Sequence, residues 1–155
     1  MAFDLDFVKV TDKPALLAIN APDLLATARM ALHDLDYKVH TTSNPGEFLT
    51  RFAQVQYQVV IIEELFCASN IVENDALLQI QIMPMAQRRH AAILLVGDSF
   101  ETLHAMQAFQ MSVHTVINRN DFTVLPQILQ QVIADNQMLL GIYRDTVQRI
   151  ASGQI

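Results

Sequence analysis

Two adjacent carboxylates, Glu63 and Glu64, follow directly on the apolar run "VVII" (Val59–Ile62). Four β-branched apolar residues in a row predict a strand covered on both faces, so both acids stand where a buried strand leaves the core. Carboxylates at such a mouth can bind a divalent cation, accept a phosphoryl group or do acid–base work. Each chemistry needs further groups converging on the same place. A hard cation needs more oxygen donors, and a phosphoryl group needs cations and hydrogen-bond donors.

The rest of the chain offers few other reactive groups. The histidines His33, His40, His90, His104 and His114 include no pair at i,i+3 or i,i+4 on one predicted helix, the spacing that holds zinc. They read as scattered surface or half-buried side chains. Cys67 is the only cysteine, so neither an intrachain disulfide nor a Cys-based zinc site can form. No His or Lys stands near it in sequence to lower its pKa, and an inert, half-buried thiol is expected. Four glycines, Gly46, Gly97, Gly141 and Gly153, cannot make a phosphate-cradling loop. The stretch "MPMAQRRH" (Met83–His90) puts Arg88, Arg89 and His90 after a helix. It either docks an acidic partner or forms a solvated loop that favours the helix C-terminus electrostatically.

The elements that position Glu63 and Glu64 can be read in order. "PALLAI" (Pro14–Ile19) is a short apolar strand. In the next segment Leu24, Leu25, Ala28, Ala31, Leu32 and Leu35 fall at helical spacing, with Asn20 as the expected N-cap and Pro22 in the first turn. "KVHTT" is a second strand. "NPGEFLTRFAQVQ" opens with Asn44, Pro45 and Glu47, a capping-box arrangement ahead of a short amphipathic helix. After the "VVII" strand, "NDALLQIQIM" predicts a helix ended by Pro84. "AAILLVG" is a fourth strand, "SFETLHAMQAFQM" a helix capped by Ser99, and "HTVIN" a fifth strand. From about Thr123 the chain reads as helix.

The order is β-α repeated five times, and the central strands are apolar at every residue. That pattern predicts a flavodoxin-like (βα)5 architecture: α/β, a doubly wound parallel five-stranded sheet with helices on both faces and an extended C-terminal helix. In such sheets the reactive or ligand site lies beyond the C-terminal ends of the strands. Those ends are Asn20–Ala21, Glu63–Glu64, Val96–Asp98 and Asn118–Asn120.

Three stretches carry a family resemblance: "YQVVIIEEL", "ALLQIQIMPMAQRRHAAILLV" and "VHTVINRNDF". With the element order they make the chain, from about Pro14 to Asp135, resemble the receiver domain of bacterial response regulators. The resemblance implies a phosphoacceptor aspartate ending the third strand and two acids after the first strand that hold Mg²⁺. It also implies a Ser or Thr ending the fourth strand and a lysine ending the fifth. In this chain the phosphoacceptor position falls on Glu63. The acid pair falls on Ile19–Asn20 or Asn20–Ala21, neither of which supplies a carboxylate. The hydroxyl position falls on Val96 or Gly97, with Ser99 a little beyond, and the lysine position on Arg119. Glutamate is also one methylene longer than aspartate, and in-line transfer is sensitive to such displacement. The expectation is a degenerate, or pseudo-, receiver that binds no metal or cofactor and is not phosphorylated. Its remnant pocket is Asn20, Glu63, Glu64, Gly97 and Arg119. Glu63 is expected either to pair with Arg119 across the strand ends or to be a solvated carboxylate, and Glu64 to be exposed.

The last helix is longer than a receiver needs. With Thr123 as N-cap and Pro126 in the first turn, no other breaker but Gly141 follows before Ser152–Gly153. Leu125, Leu129, Val132, Asn136, Leu139, Tyr143, Thr146 and Ile150 alternate at spacings of four and three, the seam of a coiled coil. The first half must cover the sheet. Asn136, Leu139, Leu140, Tyr143, Val147 and Ile150 are therefore the expected dimer or partner surface, with Asn136 either setting register or capping its own domain. The division expected is an N-terminal extension over 1–13, the receiver-like body over 14–135 and a helical extension over 136–155.

With 155 residues, 52% of them apolar and 17% charged, the chain has ample material for one core. A net charge of −6 argues against nucleic acid or an anionic membrane as direct partner. The N-terminus lacks a basic segment followed by an apolar one, and a cytoplasmic location is expected. Together these features predict a non-enzymatic module for protein–protein interaction and homodimerisation in bacterial signalling, with other signalling proteins or an attached output domain as partners. The alternative reading is a small-ligand or nucleotide-binding domain that uses the crevice at the strand ends.

Overall fold

A computed structural model describes residues 8–154. Five strands, β1 (Pro14–Ala18), β2 (Lys38–Thr41), β3 (Val59–Glu63), β4 (Ala92–Gly97) and β5 (Thr115–Asn118), form one parallel sheet in the order β2-β1-β3-β4-β5. The connecting helices are α1 (Pro22–Asp34), α2 (Pro45–Gln54), α3 (Asp75–Ile82), the single-turn α4 (Met85–Arg88), α5 (Ala105–Met111) and α6 (Leu125–Ala151).

Period-two geometry explains why the central strands are apolar at every position. Ala15, Leu17, Val59, Ile61, Leu94, Val96 and Ile117 face a core built with α1 and α6. Leu16, Ala18, Val60, Ile62, Ile93, Leu95 and Val116 face a second core built with α2, α3 and α5. Successive side chains point to opposite faces, and helices cover both. This is the α/β doubly wound architecture that the sequence predicts, with the long C-terminal helix.

Helix starts follow local chemistry where the partners are local. Asn44 Oδ1 accepts the Glu47 N–H at 2.9 Å, and Glu47 Oε2 accepts the Ser43 N–H at 3.1 Å, closing the box one residue early. Three starts differ from expectation. Asn20 does not cap α1; Ala21 holds that position, and the Asn20 side chain accepts the Cys67 N–H at 2.7 Å. Ser99 does not cap α5, which begins after His104, whose Nδ1 accepts the Gln107 N–H at 3.1 Å. Between them Leu103 takes a left-handed φ of 64°, which interrupts any helix, and Thr102 binds Asp121 and the Asn118 N–H instead. Thr123 does not cap the last helix. A 3₁₀ segment, Arg119–Val124, precedes it, and Pro126 lies in the first turn of α6.

The 27 residues of α6 extend about 40 Å. Leu125, Ile128, Leu129, Val132 and Asn136 are buried against the body. Asn136 is the last buried residue of the helix, and residues 141–154 are exposed. No helix among the described residues is long and apolar enough to cross a membrane.

Candidate functional site

β3 delivers Glu63 and Glu64 to the C-terminal edge of the sheet, and both are buried, at 8% and 7% exposure. Glu63 Oε1 accepts the Asn20 N–H at 2.7 Å and the Ala21 N–H at 3.0 Å. These are backbone donors at the entrance to α1, where N–H groups lack helical partners and favour negative charge. The residues after β1 supply no carboxylate, but their amides bind one.

Glu64 is not the surface residue expected. Its N–H donates to Val96 O at 2.8 Å, which carries the β3–β4 pairing one residue past the strand. Its side chain then folds over Gly97, and Oε1 accepts the Ser99 N–H at 3.2 Å. A Cβ on Gly97 would lie 2.1 Å from that oxygen, so the glutamate occupies space that only glycine leaves open.

The Glu63–Arg119 ion pair expected as one of two arrangements does not form. Arg119 Nη2 contacts both carboxylate oxygens of Asp23, at 2.9 and 3.0 Å. Glu63 is not a solvated carboxylate either: it is buried, and the backbone of Asn20 and Ala21 holds it. Asp23, in the first turn of α1, offers Arg119 an exposed carboxylate. Desolvation opposes ionisation of Asp23, but the Leu24 N–H and Arg119 outweigh it and hold its pKa below the ordinary value.

Asn74 was not among the sequence candidates. It is fully buried, caps α3 by accepting the Leu77 N–H at 3.1 Å, and donates through Nδ2 to the carbonyls of Glu63 (2.9 Å) and Glu64 (3.0 Å). An Asn ahead of "DALL" is readable as an N-cap. Its second role, fixing the two glutamates' backbone, has no local signal.

Glu63, Glu64, Gly97, Ser99 and Arg119 line one crevice of about 360 Å³, with Asn70 on its rim. Asn20 stands behind it through its bond to Glu63. The donor set does not fit Mg²⁺. Positions 19–21 carry no carboxylate, Glu63 Oε1 already accepts two N–H groups, and no cluster of three or more His, Cys, Asp or Glu among the described residues could hold a metal ion.

Cys67 is exposed rather than half-buried, at a left-handed φ of 50°, with Sγ directed to Ser43 O at 3.1 Å. Arg88 is neither a docking nor a solvated residue. It is buried, and its guanidinium donates to Ile80 O at 2.6 Å and to Ser112 O. Arg89 lies over the Tyr143 ring, 4.4 Å from its centroid.

Of the expected interface set, Asn136 belongs to its own domain, where its Oδ1 meets His114 Nε2 at 3.1 Å. His114 Nδ1 accepts the Ile93 N–H at 2.9 Å, so the proton is assigned to Nε2. Leu139, Tyr143, Val147 and Ile150 are exposed and Leu140 is half-buried.

A scan against protein-family models finds no match, and a search of curated protein sequences finds none either. Solved structures do match. The chain is similar to the chemotaxis response regulator CheY4 of Vibrio cholerae, with a TM-score of 0.63 at 15% identity over 79% of this chain and 99% of that one. It is similar to a response regulator from Hahella chejuensis, with a TM-score of 0.54 at 16% identity over 81% and 93% of the two chains. It is also similar to part of NtrX from Brucella abortus, solved in complex with ATP, with a TM-score of 0.67 at 12% identity over 84% of this chain and 29% of that one. At such identities the likeness is one of fold: the chain has the five-stranded parallel α/β fold of response-regulator receiver domains.

Proposed function

We propose that the chain is a degenerate receiver, a phosphorylation-independent and non-enzymatic module for protein–protein contact in bacterial signal transduction, which pairs with a second copy through the free end of α6. The observation that carries this reading is the Glu63 carboxylate held on the amides of Asn20 and Ala21. A side chain that would accept a phosphoryl group is instead fixed at the entrance to α1. The loop that would supply metal-binding acids supplies amide donors, which bind the glutamate without a cation. Arg119 is engaged by Asp23 on the surface. The domain is thus held in one arrangement by its own side chains, and its output depends on which surfaces it presents.

The strand-end crevice disfavours the alternative of a nucleotide or other phosphorylated ligand there, because Glu63, Glu64 and Asp98 line it against the one cation Arg119, which Asp23 already engages. The exposed apolar run on α6 favours a protein partner instead. The test is intact-mass measurement after incubation with acetyl phosphate and Mg²⁺. The expected mass is unchanged. A stoichiometric phosphoryl adduct that disappears in Glu63→Ala overturns the proposal.

A further inference from the structure

A second cavity, of about 480 Å³, lies at the opposite end of the sheet, where α6 runs past the body. One side is the body: Gln56 and Gln58 just before β3, and His90 just before β4. The other is a single stripe of α6, with Asn136, Gln137 and Arg144 at helical spacing. Most of the polar side chains that line it are unused. The amides of Gln56, Gln58 and Gln137 and the guanidinium of Arg144 make no hydrogen bond or ion pair with the described residues. Asn136 uses its oxygen for His114 and keeps its NH₂ group. His90 is the sharpest case. Its ring stacks on Phe52, with centroids 5.4 Å apart, and its Nε2 is buried without a partner. A buried ring nitrogen left unpaired costs the fold free energy.

The chemistry of the lining defines what would fit. Carboxamides present a donor and an acceptor side by side in one plane, which is how Asn and Gln read the edge of a nucleobase. Ile133 and Leu140 add aliphatic wall for the face of a ring. Arg144 is permanently charged, forked and suited to a phosphate or carboxylate. No acid lines the cavity, in contrast to the crevice at Glu63. The volume is in the range of small-molecule sites. We propose that this cavity binds a small anionic ligand with a planar amide-type edge, of which a mononucleotide is the simplest test molecule, and that the ligand bridges the body to α6. The base edge faces the glutamines and the anionic group faces Arg144. The inference does not depend on the phosphorylation-independent reading, because it concerns different residues at the other end of the sheet.

Thermal unfolding of the full chain with AMP, GMP, CMP and UMP at millimolar concentration tests the proposal, with binding confirmed by calorimetry. At least one mononucleotide is expected to raise Tm saturably, as any ligand of the native state does. The rise should disappear in Arg144→Ala and shrink in Gln137→Ala. Both residues are exposed, so both variants should fold, and their own melting curves verify it. In Asp23→Ala, which alters the Arg119 pair and the Leu24 N–H contact at the other end of the sheet, the rise should be intact. The proposal is overturned if no mononucleotide shifts Tm, if the shift survives undiminished in Arg144→Ala, or if inorganic phosphate alone gives the same shift.

Discussion

The Glu64 side chain lies directly across the α-carbon of Gly97, so that a methyl group at position 97 would meet its Cβ at 2.5 Å and its Oε1 at 2.1 Å. The constraint on Gly97 is space, not backbone conformation. The Oε1 atom could swing away, but Cβ could not without moving the backbone that Asn74 and Val96 hold. Gly97→Ala is therefore expected to destabilise the domain by about 1–3 kcal/mol, the usual range for overpacking. Glu64→Gly in the same background should recover part of that loss, because it removes both clashing atoms. Urea unfolding of the two variants checks this. Equal stability of Gly97→Ala and the parent would mean that Glu64 does not occupy that space.

Glu63 has a different role, as acceptor for two N–H groups at the start of α1. Truncating it leaves both donors in a part-buried place with no partner. Each hydrogen bond to a charged group contributes about 1.5–3 kcal/mol, and two are lost, so Glu63→Ala should lose at least the value of one such bond. Glu63→Gln, which keeps an acceptor oxygen without the charge, should lose less. Chemical denaturation of the pair measures the difference. A Glu63→Ala protein as stable as the parent would show that water satisfies those amides at no cost.

The parts of this fold legible in the sequence are those whose causes are local. Continuous runs such as "VVII" and "AILLV" signal strands because the sheet is covered on both faces, and Asn44–Glu47 signals a helix start because the box closes within four residues. The site was legible in position but not in its contacts. Glu63, Glu64, Gly97 and Arg119 do share one crevice. Their partners come from other elements: Glu63 from the β1–α1 junction, Glu64 from Gly97 and Ser99 beyond β4, and Arg119 from Asp23 on α1. Ser99 looked like a helix cap because its surroundings carry cap chemistry. Thr102 prefers Asp121 and Asn118, distant in sequence, and the helix starts later.

Acid should weaken the fold through two histidines. Burial lowers the His114 pKa first; the Asn136 bond works in the opposite sense, and the nearby Arg88 charge lowers it further. Burial alone lowers that of His90. Protonating His114 would also place a proton on Nδ1 against the Ile93 N–H, two donors face to face. A base whose pKa is depressed in the folded state binds protons more readily when unfolded. Its contribution is fully present above the unfolded value near 6.5 and is lost as pH falls from there through the folded value. Urea midpoints should hold between pH 8 and 7 and decline below ~6.5. The decline should be shallower in His90→Phe, which keeps a ring against Phe52. An identical slope in that variant would remove His90 from the account.

The free end of α6 makes the last prediction. Leu139, Tyr143, Thr146 and Ile150 continue the face that Leu125, Leu129, Val132 and Asn136 use to cover the sheet, but beyond Asn136 no sheet lies beneath them. Leu139 and Ile150 are 62% and 59% exposed, and Met138, Ile142 and Val147 widen the apolar surface. The four-three spacing suits a second copy of the same helix. The chain is expected to sediment as a dimer at micromolar concentration, and Leu139→Glu with Ile150→Glu should convert it to a monomer. Neither residue supports the body, so the body's own stability should change by less than about 0.5 kcal/mol, the usual effect of a surface substitution. Gly141→Ala is the complementary variant. Nothing lies within 4 Å of a Cβ there, and the position falls on the polar side of the helix, away from the seam. Alanine should favour the helix by about 1 kcal/mol and tighten the dimer, because the seam is pre-ordered. A parent protein that stays monomeric at micromolar concentration defeats the pairing, and a Gly141→Ala dimer weaker than the parent shows that the contact runs over the other face of α6.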